Sequence, residues 1–178
     1  MGLPARAQDM FLGVTGTAGV PMAFHWVPEF NYSSIGGSIK VGADFAYPIT
    51  DGIAIGAYTS FGLGPVLITY RDKVERFTSR ELKAEFDWRL GLLMLVGDLG
   101  GSPFIVGLTP CTGYGVCVPV EGYLPLEMRF GMMVSGNFYL TGNLNFGVPL
   151  NPNRYIGNFF FVEPSITVGY NLGHLLRR

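Results

Sequence analysis

The sequence predicts an all-β chain closed as an eight-stranded antiparallel up-and-down transmembrane β-barrel. Three observations carry this: a long two-residue alternation, a composition rich in apolar residues and poor in charge, and connections that alternate between short and long. The clearest alternation is residues 82–96, LKAEFDWRLGLLMLV. Leu82, Ala84, Phe86, Trp88, Leu90, Leu92, Met94 and Val96 share one face, and Lys83, Glu85, Asp87, Arg89 and Gly91 share the other. Successive side chains of a strand leave opposite faces of the sheet. Wound as a helix, the same residues would spread charge round the cylinder and leave no apolar stripe. The stretch is also long, since strands of soluble proteins usually have about 5–6 residues. A soluble sandwich buries its apolar face, whereas a transmembrane barrel turns that face to lipid and encloses the charges.

Composition favours the barrel. The chain has 178 residues, enough for one domain with a sizeable core. Hydrophobic residues make up 48%, aromatic residues 14% and charged residues 14%, against about 25% charged in ordinary soluble domains. A net charge of -1 leaves no basic footprint for nucleic acid. Two uncharged windows, 99–120 and 130–153, are long enough for spanning helices. The first is broken by Pro103, Pro110 and Pro119, and the second carries Asn137, Asn143, Asn145, Pro149 and Asn151. Neither holds a helix in hydrocarbon. A closed barrel is the other way to pair every backbone group in lipid. Residues 1–7 read as the tail of a secretory signal, because Ala5-Arg6-Ala7 precedes Gln8-Asp9 in the pattern of a signal-peptidase site. Residues 8–178 form the barrel domain.

Eight segments alternate in chain order. The first, 10–26, sets Leu12, Val14, Gly16, Ala18, Val20, Met22, Phe24 and Trp26 on one face. The second, 35–49, puts Ile39, Val41, Ala43, Phe45 and Tyr47 outside, with Ser38, Lys40, Gly42 and Asp44 inside. Thr50-Asp51-Gly52 then carries the Asp-Gly signal of a tight hairpin. The third segment, 53–63 with an extension to 70, alternates Ile53, Ile55, Ala57, Thr59 and Phe61 against Ala54, Gly56, Tyr58 and Ser60. Residues 71–80, RDKVERFTSR, are the most charged run and read as a solvated loop. The fourth segment is 82–96, and the fifth starts at Pro103 and carries Phe104, Val106 and Leu108 outward. The sixth, 123–134, opposes Leu124, Leu126, Met128, Phe130, Met132 and Val134 to Glu127, Arg129 and Gly131. The seventh, 138–148, has Leu140, Leu144 and Phe146 outward and Thr141, Asn143 and Asn145 inward. The last, 155–172, sets Phe160, Val162, Pro164, Ile166, Val168, Tyr170 and Leu172 against Glu163, Ser165, Thr167 and Asn171. Pro164 removes a ladder donor and predicts a bulge. Connections after segments two, four and six are short, and those after one, three, five and seven are longer. Short turns on one side and long loops on the other mark an outer-membrane barrel.

This pattern resembles the small outer-membrane barrels of the OmpA/OmpX/OmpW type over almost the whole chain. The ending from Phe161 to His174 is similar to the last strand of barrels from Bacteroidota, although His174-Leu175-Leu176-Arg177-Arg178 stands where many such chains end on an aromatic residue. The resemblance implies a location in the bacterial outer membrane, in contact with lipid and lipopolysaccharide.

The candidate site residues follow from parity. Lys40, Asp44, Lys83, Glu85, Asp87, Arg89, Glu127, Arg129 and Glu163 point inward. Eight strands leave a lumen just wide enough for side chains, and buried charges must be paired. The expectation is therefore a salt-bridge network that fills the lumen, with no through-pore. The lipid-facing set is Phe86, Trp88, Leu90, Leu92, Phe130, Phe160 and Ile166. Cys111 and Cys117 bracket five residues of one external loop and are expected to form a disulfide in an oxidising compartment. His25, near Glu29, Ser33 and Ser34, is the one candidate for outer-leaflet lipid chemistry. Its spacing does not require a triad. The function expected is a structural or accessory subunit of an outer-membrane assembly, whose partner is a larger outer-membrane protein or a lipoprotein. The alternatives are a free-standing barrel that binds or adheres through its external loops and, ranked behind it, an outer-leaflet lipid-modifying enzyme. No enzyme activity, cofactor or metal is expected, and an inward Lys83-Glu85-Asp87-Arg89 ladder disfavours a soluble carrier of apolar ligands.

Overall fold

Strands account for nearly all of the regular structure in the computed structural model, which describes residues 10–26, 30–50, 52–97, 104–112, 123–135, 137–149 and 159–172. They are β1 (Phe11–Gly19), β2 (Met22–Trp26), β3 (Phe30–Gly36), β4 (Ser38–Thr50), β5 (Ile53–Asp72), β6 (Thr78–Val96), β7 (Phe104–Thr112), β8 (Tyr123–Ser135), β9 (Phe138–Pro149) and β10 (Phe159–Asn171). Every pairing is antiparallel, and the ring closes because β10 pairs with both β1 and β2. The fold is a closed all-β barrel, so it leaves no free sheet edge between its first and last strands.

The structure holds ten strand segments where the alternation predicts eight. β1 and β2 share β10 as a neighbour, and β3 and β4 share β5, so each pair takes one place in the ring. The breaks fall at Val20-Pro21 and at Gly37, and the pairing register is the same on either side of each. Pro164 makes no bulge: its pairing with β9 runs unshifted from Val162↔Phe146 to Tyr170↔Phe138. The Val20 amide still donates to the Pro164 carbonyl at 3.0 Å, so the proline loses one hydrogen bond and keeps its place.

Half of the charged run 71–80 is strand. β5 runs to Asp72 and β6 starts at Thr78, so the turn is only 73–77. Asp72 organises it, because its Oδ1 accepts the amides of Val74 and Glu75 at 2.8 Å each, and its own amide donates to the Phe77 carbonyl at 3.0 Å. Arg76 takes the left-handed conformation that closes the turn, with φ 57°. β3 begins at Phe30, inside what the sequence predicts as a loop, because its partner β5 reaches up to pair Asp72 with Phe30. Residues 1–9, Asp51 and Cys117 lie outside the described residues, and with them the predicted signal tail, part of the first hairpin turn and the Cys111–Cys117 bridge.

Two surfaces with opposite chemistry result. Outward, Ile39, Val41, Leu63, Leu92 and Val134 are exposed, with Ile39 at 73% and Leu92 at 63%. Inward, the buried side chains of the middle of the barrel are polar or charged, Lys40, Asp44 and Arg89 among them at 1% exposure. At the short-turn end the lumen becomes apolar, where Phe11, Ala46, Tyr58, Leu93, Leu95, Ile105 and Tyr139 form a cluster.

Candidate functional site

The lumen is built by strand parity. Lys40 and Asp44 sit four residues apart on β4, Glu127 and Arg129 two apart on β8, and Asp87 and Arg89 two apart on β6, so each pair points the same way. Closure brings these strands round to face one another and β10, and two linked clusters result.

The first centres on Asp44. The Arg129 guanidinium donates to both of its oxygens, at 2.9 and 2.8 Å, and the Tyr139 hydroxyl donates to Oδ2 at 2.7 Å. Arg129 Nε also donates to Thr141 Oγ1 at 3.1 Å, and the guanidinium lies 4.9 Å from the centre of the Tyr58 ring. A fork-to-fork pair of this kind fixes geometry as well as charge, and the ring adds a cation–π contact. The wall leaves room for Tyr139 at two glycines. A Cβ on Gly13 or Gly169 would overlap its hydroxyl or its ring, so those positions have to be bare.

The second cluster centres on Arg89, which pairs with Glu127, with Glu163 and with Asp87, the last at 2.9 Å. Lys40 pairs with Glu163, reaches Asp87 at 3.3 Å and donates to Ser38 Oγ at 2.8 Å. Ser38 in turn donates to Glu163 at 2.7 Å, and the Tyr58 hydroxyl donates to Glu127 at 3.2 Å. Tyr58 thus touches both clusters. A rung of neutral groups lies alongside them: Thr17 and Thr167 at 2.6 Å, with the Asn143 amide donating to Ser165 and Thr167 at 3.2 and 2.8 Å.

Among the described residues, three buried cations (Lys40, Arg89 and Arg129) meet three buried carboxylates (Asp44, Glu127 and Glu163), with Asp87, 24% exposed, as a fourth. Each buried charge has an opposite partner, which is the condition for keeping it ionised in a low dielectric. Between the clusters a void of about 10 Å³ remains, lined by Thr15, Thr17, Lys40, Asp44, Arg89, Arg129 and their neighbours. That is room for about one water molecule. The arrangement is a plug, with the charges spent on one another.

One predicted member does not join it. Lys83 has the inward parity but is exposed, and it pairs with Glu81 on its own strand at 3.1 Å. β6 runs past the enclosed lumen there, and an exposed pair of this kind is screened by water and adds little to stability. The Glu85 side chain lies outside the described residues. Ser38, Tyr58, Tyr139, Thr141 and Asn143 belong to the plug although they do not read as site residues in the sequence. Their signal was inward parity on the same faces as the charges.

The outward set is more uniform. Phe86, Leu90, Leu92, Phe130 and Ile166 are exposed, and Trp88 is half-buried. Trp88 stacks on Phe61, with ring centres 6.0 Å apart, and its indole N–H donates to Thr59 Oγ1 at 3.1 Å. The Thr59 hydroxyl in turn donates a hydrogen bond to the Arg89 carbonyl at 2.8 Å, so neither polar group on this apolar face is left bare. The Phe160 side chain lies outside the described residues, as do those of His25 and Glu29. His25 pairs in register with Tyr32, and Ser33 with Phe24.

No known protein family and no curated protein matches the chain. Among solved structures it is similar to the translocator domain of the autotransporter NalP from Neisseria meningitidis. Identity there is 11% and the TM-score 0.32, over 90% of this chain and 88% of that one. It is also similar to the transport unit of the autotransporter AIDA-I from Escherichia coli, with 9% identity and a TM-score of 0.28, over 96% and 92% of the two chains.

Proposed function

We propose that the protein is an integral outer-membrane β-barrel without a through-pore, acting as a structural or accessory subunit of an outer-membrane assembly. The observation that carries this reading is the inside-out chemistry of the barrel: an apolar outer wall around a lumen whose charges are buried and paired. A soluble barrel would leave Ile39, Val41, Leu63 and Leu92 bare to water along its wall, where contiguous apolar surface marks a contact with lipid or a partner. Lipid removes that cost. Among the described residues the plug leaves the lumen no path for solutes, so in this reading contacts are made by the wall and the external ends of the strands. A second reading is supported by the turn at 73–77, which Asp72 holds in one shape while Val74 and Phe77 stay exposed. In that reading the barrel stands alone and binds through this end.

Extraction of the tagged protein from native membranes in mild detergent, with mass spectrometry of what co-purifies, separates the two. A stoichiometric large barrel or lipoprotein is the expected result. A lone species would favour the free-standing reading, and recovery without detergent would overturn the membrane assignment. Reconstituted in planar bilayers, the purified protein is expected to give no steady channel conductance, and steady unitary openings would contradict the plug.

A further inference from the structure

Three prolines lie on one line across four neighbouring places of the wall. Pro164 on β10 stands opposite Val20, Pro21 opposite Gly36, and Pro65 on β5 opposite Gly37. In an antiparallel sheet, residues so placed exchange two hydrogen bonds. Here each pair makes one: Val20 N–H to Pro164 O at 3.0 Å, Gly36 N–H to Pro21 O at 2.9 Å, and Gly37 N–H to Pro65 O at 3.0 Å. The reciprocal bond would need a proline N–H, which does not exist. Both interruptions of the strand ladder, between β1 and β2 and between β3 and β4, fall on this line. The backbones also approach closely there. A Cβ on Gly36 would overlap the Pro65 carbonyl, and one on Gly64 the Gly37 carbonyl.

We propose that this line is a crease, about which the rim panel made of β2, β3, the end of β5 (residues 66–72), the start of β6 paired to it (residues 78–83) and the start of β10 (residues 159–162) tilts as a unit above a fixed plug. Continuous strand backbones are what resist a bend across their axes, and at this level two of the four places are interrupted while each of the three interfaces between them lacks one bond of a pair. Glycine at 36, 37 and 64 supplies backbone freedom where the bend occurs. The panel has a coherent inner face, with Ala23, Ser34, Val66 and Ile68 buried, so it moves as a packed piece and not as separate loops. At the line itself the plug clasps the wall: Glu163, next to Pro164, takes Lys40, Arg89 and Ser38 and so belongs to the fixed part. The tilt therefore changes the width of the mouth while the lumen stays sealed.

The test uses the full-length protein in lipid nanodiscs, with pairs of spin labels measured by pulsed electron resonance. One label stays at Val134 on the lower wall. The second sits either at Ile35, above the crease, or at Ile39, below it; all three side chains point outward and are exposed. The distance distribution to Ile35 is expected to be at least about twice as broad as that to Ile39, the excess reporting panel motion on slow timescales. Replacing Pro21, Pro65 and Pro164 together by Ala restores three donors and is expected to narrow the Ile35 distribution to the width seen for Ile39. Equal widths in the native protein would overturn the crease, and that comparison stands even where the triple variant does not fold. An Ile35 distribution that stays broad after the three substitutions would overturn the assignment of the motion to the prolines.

Discussion

Replacing Arg89 by Met is expected to destabilise the folded barrel by about 3–5 kcal/mol, the cost of stranding buried charges by removing their partner. Arg89 is the hinge of the plug, because it alone among the described residues pairs with Glu127, Glu163 and Asp87. Among the described residues, its removal leaves Glu127 without an ion-pair partner and Glu163 with Lys40 only. The loss is read as a lower urea midpoint for unfolding from detergent micelles, at unchanged m-value. Combining Arg89→Met with Glu127→Gln and Glu163→Gln leaves Lys40 facing Asp87 at 3.3 Å, and is expected to recover most of the loss, because buried ion pairs stabilise little relative to neutral groups of the same shape. A single substitution as damaging as the triple one would mean that Arg89 acts through packing alone. Asp87→Asn is expected to cost less than Arg89→Met, since Asp87 keeps contact with solvent.

Leu90→Arg carries the second large effect. Leu90 is exposed on the outer wall, one residue from the plug, and a guanidinium there would have to sit in hydrocarbon. The expected cost is about 2–4 kcal/mol near the bilayer midplane, seen as a loss of heat-resistant folded barrel on gels and as reduced assembly in membranes. Lys83→Ala, seven residues earlier on the same strand, removes only the exposed pair with Glu81, and is expected to leave the urea midpoint close to that of the native protein. Tolerance of Leu90→Arg together with damage from Lys83→Ala would invert the reading of β6.

The two faces of β6 were legible because parity is a local property. Once residues 82–96 are extended, Leu90, Leu92 and Met94 must oppose Arg89, Gly91 and Leu93, whatever the rest of the chain does. The same rule placed Lys40 with Asp44, and Glu127 with Arg129. Parity does not say how far the enclosed lumen reaches along a strand. Lys83 therefore read as an inward charge, although β6 has left the lumen by that point. Nor does it say which charges meet, since the pairing of Asp44 with Arg129, or of Arg89 with Glu163, depends on closure between strands far apart in sequence. Two further misreadings have local causes. Charges in 71–80 suggested a loop, but an exposed hairpin carries charge equally well on both faces. Pro164 suggested a bulge, but a neighbour that still donates its own amide lets a proline stay in register.

The central claim is that the apolar face meets lipid and the charged face is enclosed. Its most direct measurement is a scan of single spin labels from residue 89 to residue 95 of β6 in lipid vesicles, with Cys111 and Cys117 replaced by Ser, reading collision with oxygen dissolved in the bilayer and with a water-soluble nickel complex. Labels at 90, 92 and 94 are predicted to collide strongly with oxygen and weakly with nickel, and labels at 89, 91, 93 and 95 to be poorly accessible to both. Strong nickel collisions at 90, 92 and 94 would place that face in water and contradict the membrane barrel.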